Sequence, residues 1–297
     1  MNATRRLFGP MRVPFLALTV VCVGLGIATA HQATGEVAWR HAALALIAAL
    51  AAHVSVNALN EYLDFRSGLD LRTARTPYSG GSGTLPADPS AAPIALAVAV
   101  LALVVAVSSG LWLVAERGRA LVPLGVMGVA LVLAYTTWLT RHPVACLIAP
   151  GLGFGPLVVV GTHIAAAERY DAIAGVAALV PFFLVDALLL LNQFPDVEAD
   201  RIAGRRHAPI AWGRPRAARV LAALYALAYA TILAAAVVWN ALPLPCLLGL
   251  LTSPLALLVT RDAVKHADDP AALAPALGRN AIVCLSTPAL VALGLVL

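Results

Sequence analysis

The 297-residue chain is 61% hydrophobic and only 12% charged, with a mean hydropathy of +0.88, which excludes an ordinary soluble domain. Its apolar residues come in continuous runs rather than alternating ones, which excludes an outer-membrane barrel. The net charge of +5 gathers at the ends of those runs, so it is a topology signal and makes no case for nucleic acid.

Runs of about 17–25 apolar residues can cross a bilayer as helices. Nine are predicted, near 13–34, 41–65, 91–115, 120–140, 146–167, 172–194, 217–239, 241–261 and 280–297. The first has a signal-peptide look, with "ATRR" at its start and "ATA" at 28–30. It is longer than a signal core of about 7–15 residues, so it reads as a retained helix. Prolines such as Pro123, Pro150, Pro156 and Pro181 fall within or beside the runs, where neighbouring helices satisfy the freed backbone groups. Cys22, Cys146, Cys246 and Cys284 are scattered singly through apolar runs, without metal or redox spacing. The expectation is an all-α membrane protein of one unit over 1–297, with nine transmembrane helices in a single bundle around an apolar cavity.

Placing the N-terminus in the cytoplasm puts sixteen of the twenty Lys and Arg residues inside and leaves Arg40, Arg117, Arg119 and Arg169 outside. That split predicts the orientation by the positive-inside rule. It makes the protein a multi-pass protein of the cell (inner) membrane, in contact with membrane lipid.

Two polar clusters interrupt the apolar pattern. The second run ends "NALNEYLDFRSGLDLRTAR", in which Asn57, Asn60 and Asp64 keep one helix face by their 3-then-4 spacing. Gly68 is expected to break that helix and let Asp70 fold back. The sixth run ends "LLLLNQFPDVEADRIAGRR", with Asn192, Asp196 and Asp200 four apart on one face. Both clusters close runs that end on the cytoplasmic side, and both lead into Gly- and Arg-bearing loops. A solvated helix end explains one such cluster. It explains two badly, because each carries an Asn a turn deeper, within the apolar run, where polar groups mark functional cavities.

Two facing acidic clusters make an all-oxygen site suited to Mg²⁺, with Mn²⁺ as the alternative. Nearby arginines, Arg72, Arg75, Arg201 and Arg205, can take phosphate in bidentate fashion. A polyanion held by metal at the mouth of an apolar cavity implies a diphosphate with a long lipid tail. Stabilising that leaving group allows ionisation to an allylic carbocation. The loop "TPYSGGSGTLP" reads as a mobile cap over the site or as a backbone-amide phosphate cradle. His53, a turn before Asn57, is as readily a core histidine as a base. His163 carries the same ambiguity.

"NEYLDFRSGLD" and "NQFPDVEADRIAGRR" resemble the paired aspartate-rich motifs of the UbiA superfamily of intramembrane prenyltransferases, a likeness that covers nearly the whole chain. It implies transfer of an isoprenyl group from a prenyl diphosphate to an aromatic acceptor. Asp64, Asp70, Asp196 and Asp200 would then be catalytic magnesium ligands. Asn57, Asn60, Arg72, Arg75, Tyr135, Arg141, Asn192, Arg201 and Arg205 would bind substrate. The Asp64–Asp70 spacing with Gly68, and "FGPLVVVGTH" at 154–163, resemble the menaquinone-pathway branch, which prenylates 1,4-dihydroxy-2-naphthoate. The hydroxybenzoate branch commonly shows Tyr-x-x-x-Lys after the fourth span, whereas "YTTWLTR" offers Tyr135 and Arg141 without lysine. Gly155 and Gly161 are expected to let a flat ring approach the wall. The alternatives are another acceptor, such as 4-hydroxybenzoate, or an ion-coupled transporter. The oligomeric state is left open.

Overall fold

The computed structural model describes residues 3–73, 75–76 and 79–297. Among the described residues there are helices and turns but no strands. Eight helices are long and apolar enough to cross a membrane, and one further apolar helix is shorter. In chain order they are α1 (Val13–Thr34), α2 (Trp39–Arg66), α3 (Pro89–Arg117), α4 (Arg119–Ala134) and α5 (Pro143–Ala167), then α6 (Ala172–Asn192), α7 (Arg214–Val238), α8 (Leu244–Lys265) and α9 (Ala274–Val296). This is the expected all-α membrane architecture, with one departure from nine full-length spans.

That departure is α4, expected to run to residue 140. The chain leaves the helix at Tyr135 instead, where the β-branched Thr136 and Thr137 favour a turn. At the helical rise α4 is about 24 Å long, short of the ~30 Å hydrocarbon core. The other boundaries follow local chemistry. Proline occupies the first turn of α3, α5, α7, α8 and α9, where its missing N–H costs no helical bond. Gly35, at φ +74, closes α1.

α6 is the most buried span and the centre of the core, with Leu184, Val185, Ala187 and Leu191 fully enclosed. α5 packs against it through Gly151 and Gly155. A Cβ at Gly151 would sit 2.2 Å from the Phe182 carbonyl oxygen, and one at Gly155 would sit 2.5 Å from that of Ala178. Close backbone approach is how membrane helices gain contact without a hydrophobic driving force. Gly155 is therefore a packing residue and does not face the cavity, contrary to the flat-ring expectation.

The middle of α5, Gly153–Val160, is a π-helix. Pro156 lies inside it and Pro150 just before it, and a proline removes an N–H and forces the preceding turn open. Beside this irregular stretch the buried Asp186 of α6 accepts the Gly151 N–H at 2.6 Å. The widened turns carry Phe154, Leu157 and Val158 into the cavity wall.

The outer surface is apolar, with Val100, Leu101 and Val104 of α3 exposed as lipid-facing residues. Trp39, Trp112 and Trp239 are exposed at one end of the bundle and Trp138 toward the other, where tryptophan favours the membrane interface. At the first of these ends Glu116 binds Arg40 at 2.6 Å and His41 at 2.7 Å, fastening α2 to α3.

Candidate functional site at the mouth of an apolar cavity

A cavity of about 980 Å³ runs between α1–α6 and α9. Leu103, Ala106, Leu124, Val132, Leu157 and Leu285 are among its apolar walls. Its charged lining lies at one end, where α2 and α6 finish.

The two acidic clusters meet there. Gly68, at φ +76, turns the chain after α2, and Leu69 N–H bonds back to the Asp64 carbonyl at 3.0 Å. Asp70 therefore folds back into the cavity, as the spacing predicts. After α6 the short helix Val197–Ile202 presents Asp200 inward, and Gly204, at φ +78, returns the chain so that Arg205 points into the mouth. Arg205 joins the halves: its guanidinium donates to Asp64 Oδ1 and, at 2.9 Å, to Asp200 Oδ1. His207 Nε2 lies 2.8 Å from Asp200 Oδ2. Asn60 Nδ2 donates to Asp64 Oδ2 at 3.0 Å and to Thr136 Oγ1 at 3.1 Å.

The loop at 79–83 closes the mouth. Gly80, Gly81 and Gly83 all have positive φ, which glycine adopts without steric cost. Ser79 and Gly80 line the mouth together with Asp196. Ser82 N–H donates to Glu61 Oε2 at 2.9 Å, and its hydroxyl donates to Oε1. The described part of this loop thus caps the site, tied to the first acidic cluster through Glu61. Pro77 and Tyr78, also in the quoted loop, lie outside the described residues.

Burial works against charge throughout the mouth. It pushes the Asp70 carboxyl up to about 8, helped by the charges of Asp64 and Glu61. Burial likewise pushes Asp196 up to about 7, with Asp200 adding to it. Arg205 is also penalised by burial, yet Asp64 and Asp200 raise its pKa above the ordinary arginine value.

Asp70 Oδ2, Asp196 Oδ1 and Asn192 Oδ1 are buried without a hydrogen-bond partner among the described residues, and all three side chains line the cavity. Unpaired buried oxygens of this kind are the donor set a hard divalent cation requires. Among the described residues no three Asp, Glu, His or Cys side chains already converge as a metal cluster. Arg205 holds the place of a counter-charge between Asp64 and Asp200.

Asn57 also lines the cavity, and its Nδ2 donates to the Met11 carbonyl at 3.0 Å. Tyr135 lines it beside the end of α4. The other arginines expected to bind substrate do not. Arg72 is exposed on the turn after Asp70, and Arg141 is exposed before α5. Arg201 faces away from the mouth and lies 3.5 Å from Glu198, one turn earlier. Arg75 donates to the Ser82 carbonyl at 3.1 Å from outside the cavity. Their place in the loops follows charge topology; only the turn at Gly204 brings an arginine of this set inside.

The sequence reading missed Arg12, Glu61, Thr136 and His207. Arg12 lines the cavity and donates to Asn60 Oδ1 at 3.3 Å, its backbone at φ +50. It looks in sequence like one more positive-inside residue. Glu61, by contrast, had a signal: it is an acid inside "NEYLD", and it is fully buried. His53 lines the cavity with Nδ1 2.8 Å from Thr19 Oγ1. His163 is buried against Thr29 and Asp171, outside the cavity.

Comparison with known proteins agrees with this geometry. The chain is 30% identical over 244 residues to a 1,4-dihydroxy-2-naphthoate octaprenyltransferase of Mycobacterium tuberculosis, covering 78% of this chain and 79% of that one. Its fold matches a solved structure described as digeranylgeranylglyceryl phosphate synthase, with a TM-score of 0.68, 13% identity and 100% and 99% of the two chains covered. It also matches a UbiA homologue from Archaeoglobus fulgidus bound to DMAPP and Mg²⁺, with a TM-score of 0.60, 15% identity and 96% and 98% covered. At those identities the structural likeness is one of fold. The pattern of the UbiA prenyltransferase family matches residues 17–279, from the beginning of α1 into α9 and across both acidic clusters, and the chain belongs to that family.

Proposed function

We propose that this prenyltransferase moves the isoprenyl chain of a prenyl diphosphate onto 1,4-dihydroxy-2-naphthoate, with Mg²⁺ at the cavity mouth. The naphthoate is supported by the name of the Mycobacterium tuberculosis relative, and the metal by the archaeal homologue bound to Mg²⁺. The observation that carries the reading is the union, in one cavity, of unpaired buried oxygens at the mouth with apolar walls behind them.

In this reading Asp64, Asp70, Asp196 and Asp200 hold the metal, with Asn192 beside them. When bound, Mg²⁺ supplies positive charge to the departing diphosphate. Arg205 and Arg12 offer guanidinium forks matched to phosphate oxygens. Asn60 keeps Asp64 oriented, and Asn57 and Tyr135 line the path into the cavity. Arg72, Arg75, Arg141 and Arg201 act through the field they add to this face. The apolar walls exclude water, so an allylic cation meets an aromatic ring before a hydroxyl. We read residues 1–297 as one catalytic unit of the cell membrane, N-terminus and mouth on the cytoplasmic side.

The test is a side-by-side assay of purified protein with one prenyl diphosphate and either the naphthoate or 4-hydroxybenzoate. The naphthoate product is expected to predominate, to vanish with EDTA and to return with Mg²⁺. Preference for the benzoate would overturn the acceptor and leave the family activity standing. Full turnover after thorough chelation would overturn the metal.

A further inference from the structure

Cavity-facing glycines are unexplained by helix packing. Glycine inside a helix sacrifices stability relative to alanine, and membrane helices recover it where backbones approach closely. Gly151 and Gly155 do this against α6. Gly110 and Gly153 do not: an added Cβ there meets no atom within 4 Å. At Gly128 it meets only Leu157 Cδ1 at 3.9 Å, and at Gly161 only Leu124 Cδ1 at 3.8 Å. All four glycines line the cavity, so what they leave is volume.

The two contacts also set the levels of α4 and α5. Gly128 lies opposite Leu157, and Gly161 lies opposite Leu124. Gly153, Leu157 and Gly161 follow at four-residue intervals along α5, and all three line the cavity. Gly153 is therefore about one helical turn nearer the mouth than Gly128, and Gly161 about one turn beyond it. Gly110 lies seven residues from the far end of α3, a level close to that of Gly161, six residues from the far end of α5. Each step is close to the length of one extended isoprene unit. The line has a fixed origin, because Asp70, only 6% exposed, aims its unpaired Oδ2 into the same cavity.

We propose that Gly153, Gly128, Gly161 and Gly110 form a graded trough for the isoprenoid tail of the donor and determine how long a donor is accepted. The proposal rests on the reading that the mouth binds a prenyl diphosphate. It moves Gly161 from the acceptor wall, where the sequence pattern placed it, to the donor's tail.

The experiment measures binding of slowly reacting prenyl thiolodiphosphates to the full chain in detergent with Mg²⁺, by titration calorimetry. The series runs from dimethylallyl through geranyl and farnesyl to geranylgeranyl. Gly153→Leu, Gly128→Leu and Gly161→Leu are compared with wild type and with Gly161→Ala. Wild type and Gly161→Ala are expected to bind the whole series. Each leucine variant is expected to keep the shortest donor and to lose roughly tenfold or more affinity beyond a length limit. That limit should lengthen in the order Gly153, Gly128, Gly161. Thermal unfolding reports whether each variant folds, and valine at the same position carries the comparison where leucine is not tolerated. A length limit that is absent, or identical in all three variants, overturns the trough while short-donor binding upholds the underlying reading. A wild-type protein that binds no member of the series overturns both.

Discussion

Arg205 pairs two buried carboxylates from opposite halves of the chain, so removing it leaves both charges uncompensated. Arg205→Ala is expected to lower stability by about 3 kcal/mol, Arg205→Lys by less, because lysine keeps the charge and loses the fork. Thermal unfolding in detergent measures both, and Asp64→Asn in the alanine background should recover part of the loss. Asp70 is the opposite case. Its Oδ2 has no partner among the described residues, so Asp70→Asn should fold as stably as wild type. Turnover in that variant should nevertheless fall by about a hundredfold or more. A stable, fully active Asp70→Asn protein would remove Asp70 from the catalytic set. The contrast also shows what sequence can convey at this scale. The acids announced themselves, because carboxylates next to apolar turns are costly and rarely idle. The arginines did not, since they recur in the loops of this end of the bundle and only backbone turns such as Gly204 decide which one points inward.

Among the elements, α5 depends on features a hydropathy pattern does not carry. Pro150 and Pro156 are visible in sequence as interruptions. The π-helix they accompany, and the Asp186 carboxylate that takes up the Gly151 N–H, arise only once α6 is alongside. Gly151→Ala has nowhere to put its methyl and is expected to lose about 1–3 kcal/mol. Gly161→Ala has room and should gain about 0.5–1 kcal/mol from helix propensity alone. Opposite signs in unfolding temperature would confirm that these two glycines of one helix serve different ends. The fourth span shows the reverse difficulty. Its apolar pattern continues through "YTTWLT", so the sequence lengthens it past Tyr135, while the β-branched pair and the following turn end the helix. The remaining spans were legible to within about four residues, except that α9 begins at Ala274, six residues before its predicted start, where Pro275 opens the helix.

For the whole molecule, orientation is open to direct measurement. The four native cysteines are all buried, so a membrane-impermeant thiol reagent should report only on engineered sites. Ser90→Cys, exposed at the start of α3, is expected to label from the cytoplasmic side, and Arg119→Cys, exposed at the start of α4, from the other. Reversed labelling would overturn the placement of the mouth while leaving its chemistry intact.

The cavity has a flank with a kinetic consequence. Leu111 of α3 and Val126 of α4 line it and are 64% and 65% exposed, so it is open between these helices toward the acyl chains. A prenyl donor dissolved in the bilayer can enter sideways without crossing water. Its effective concentration is then a mole fraction in the lipid phase. Diluting the donor with inert phospholipid, at constant enzyme and constant bulk donor, should slow the reaction, and added detergent micelles should do the same. An inhibitor aimed at this site would be ranked correctly only when its partitioning into membranes is counted alongside its affinity.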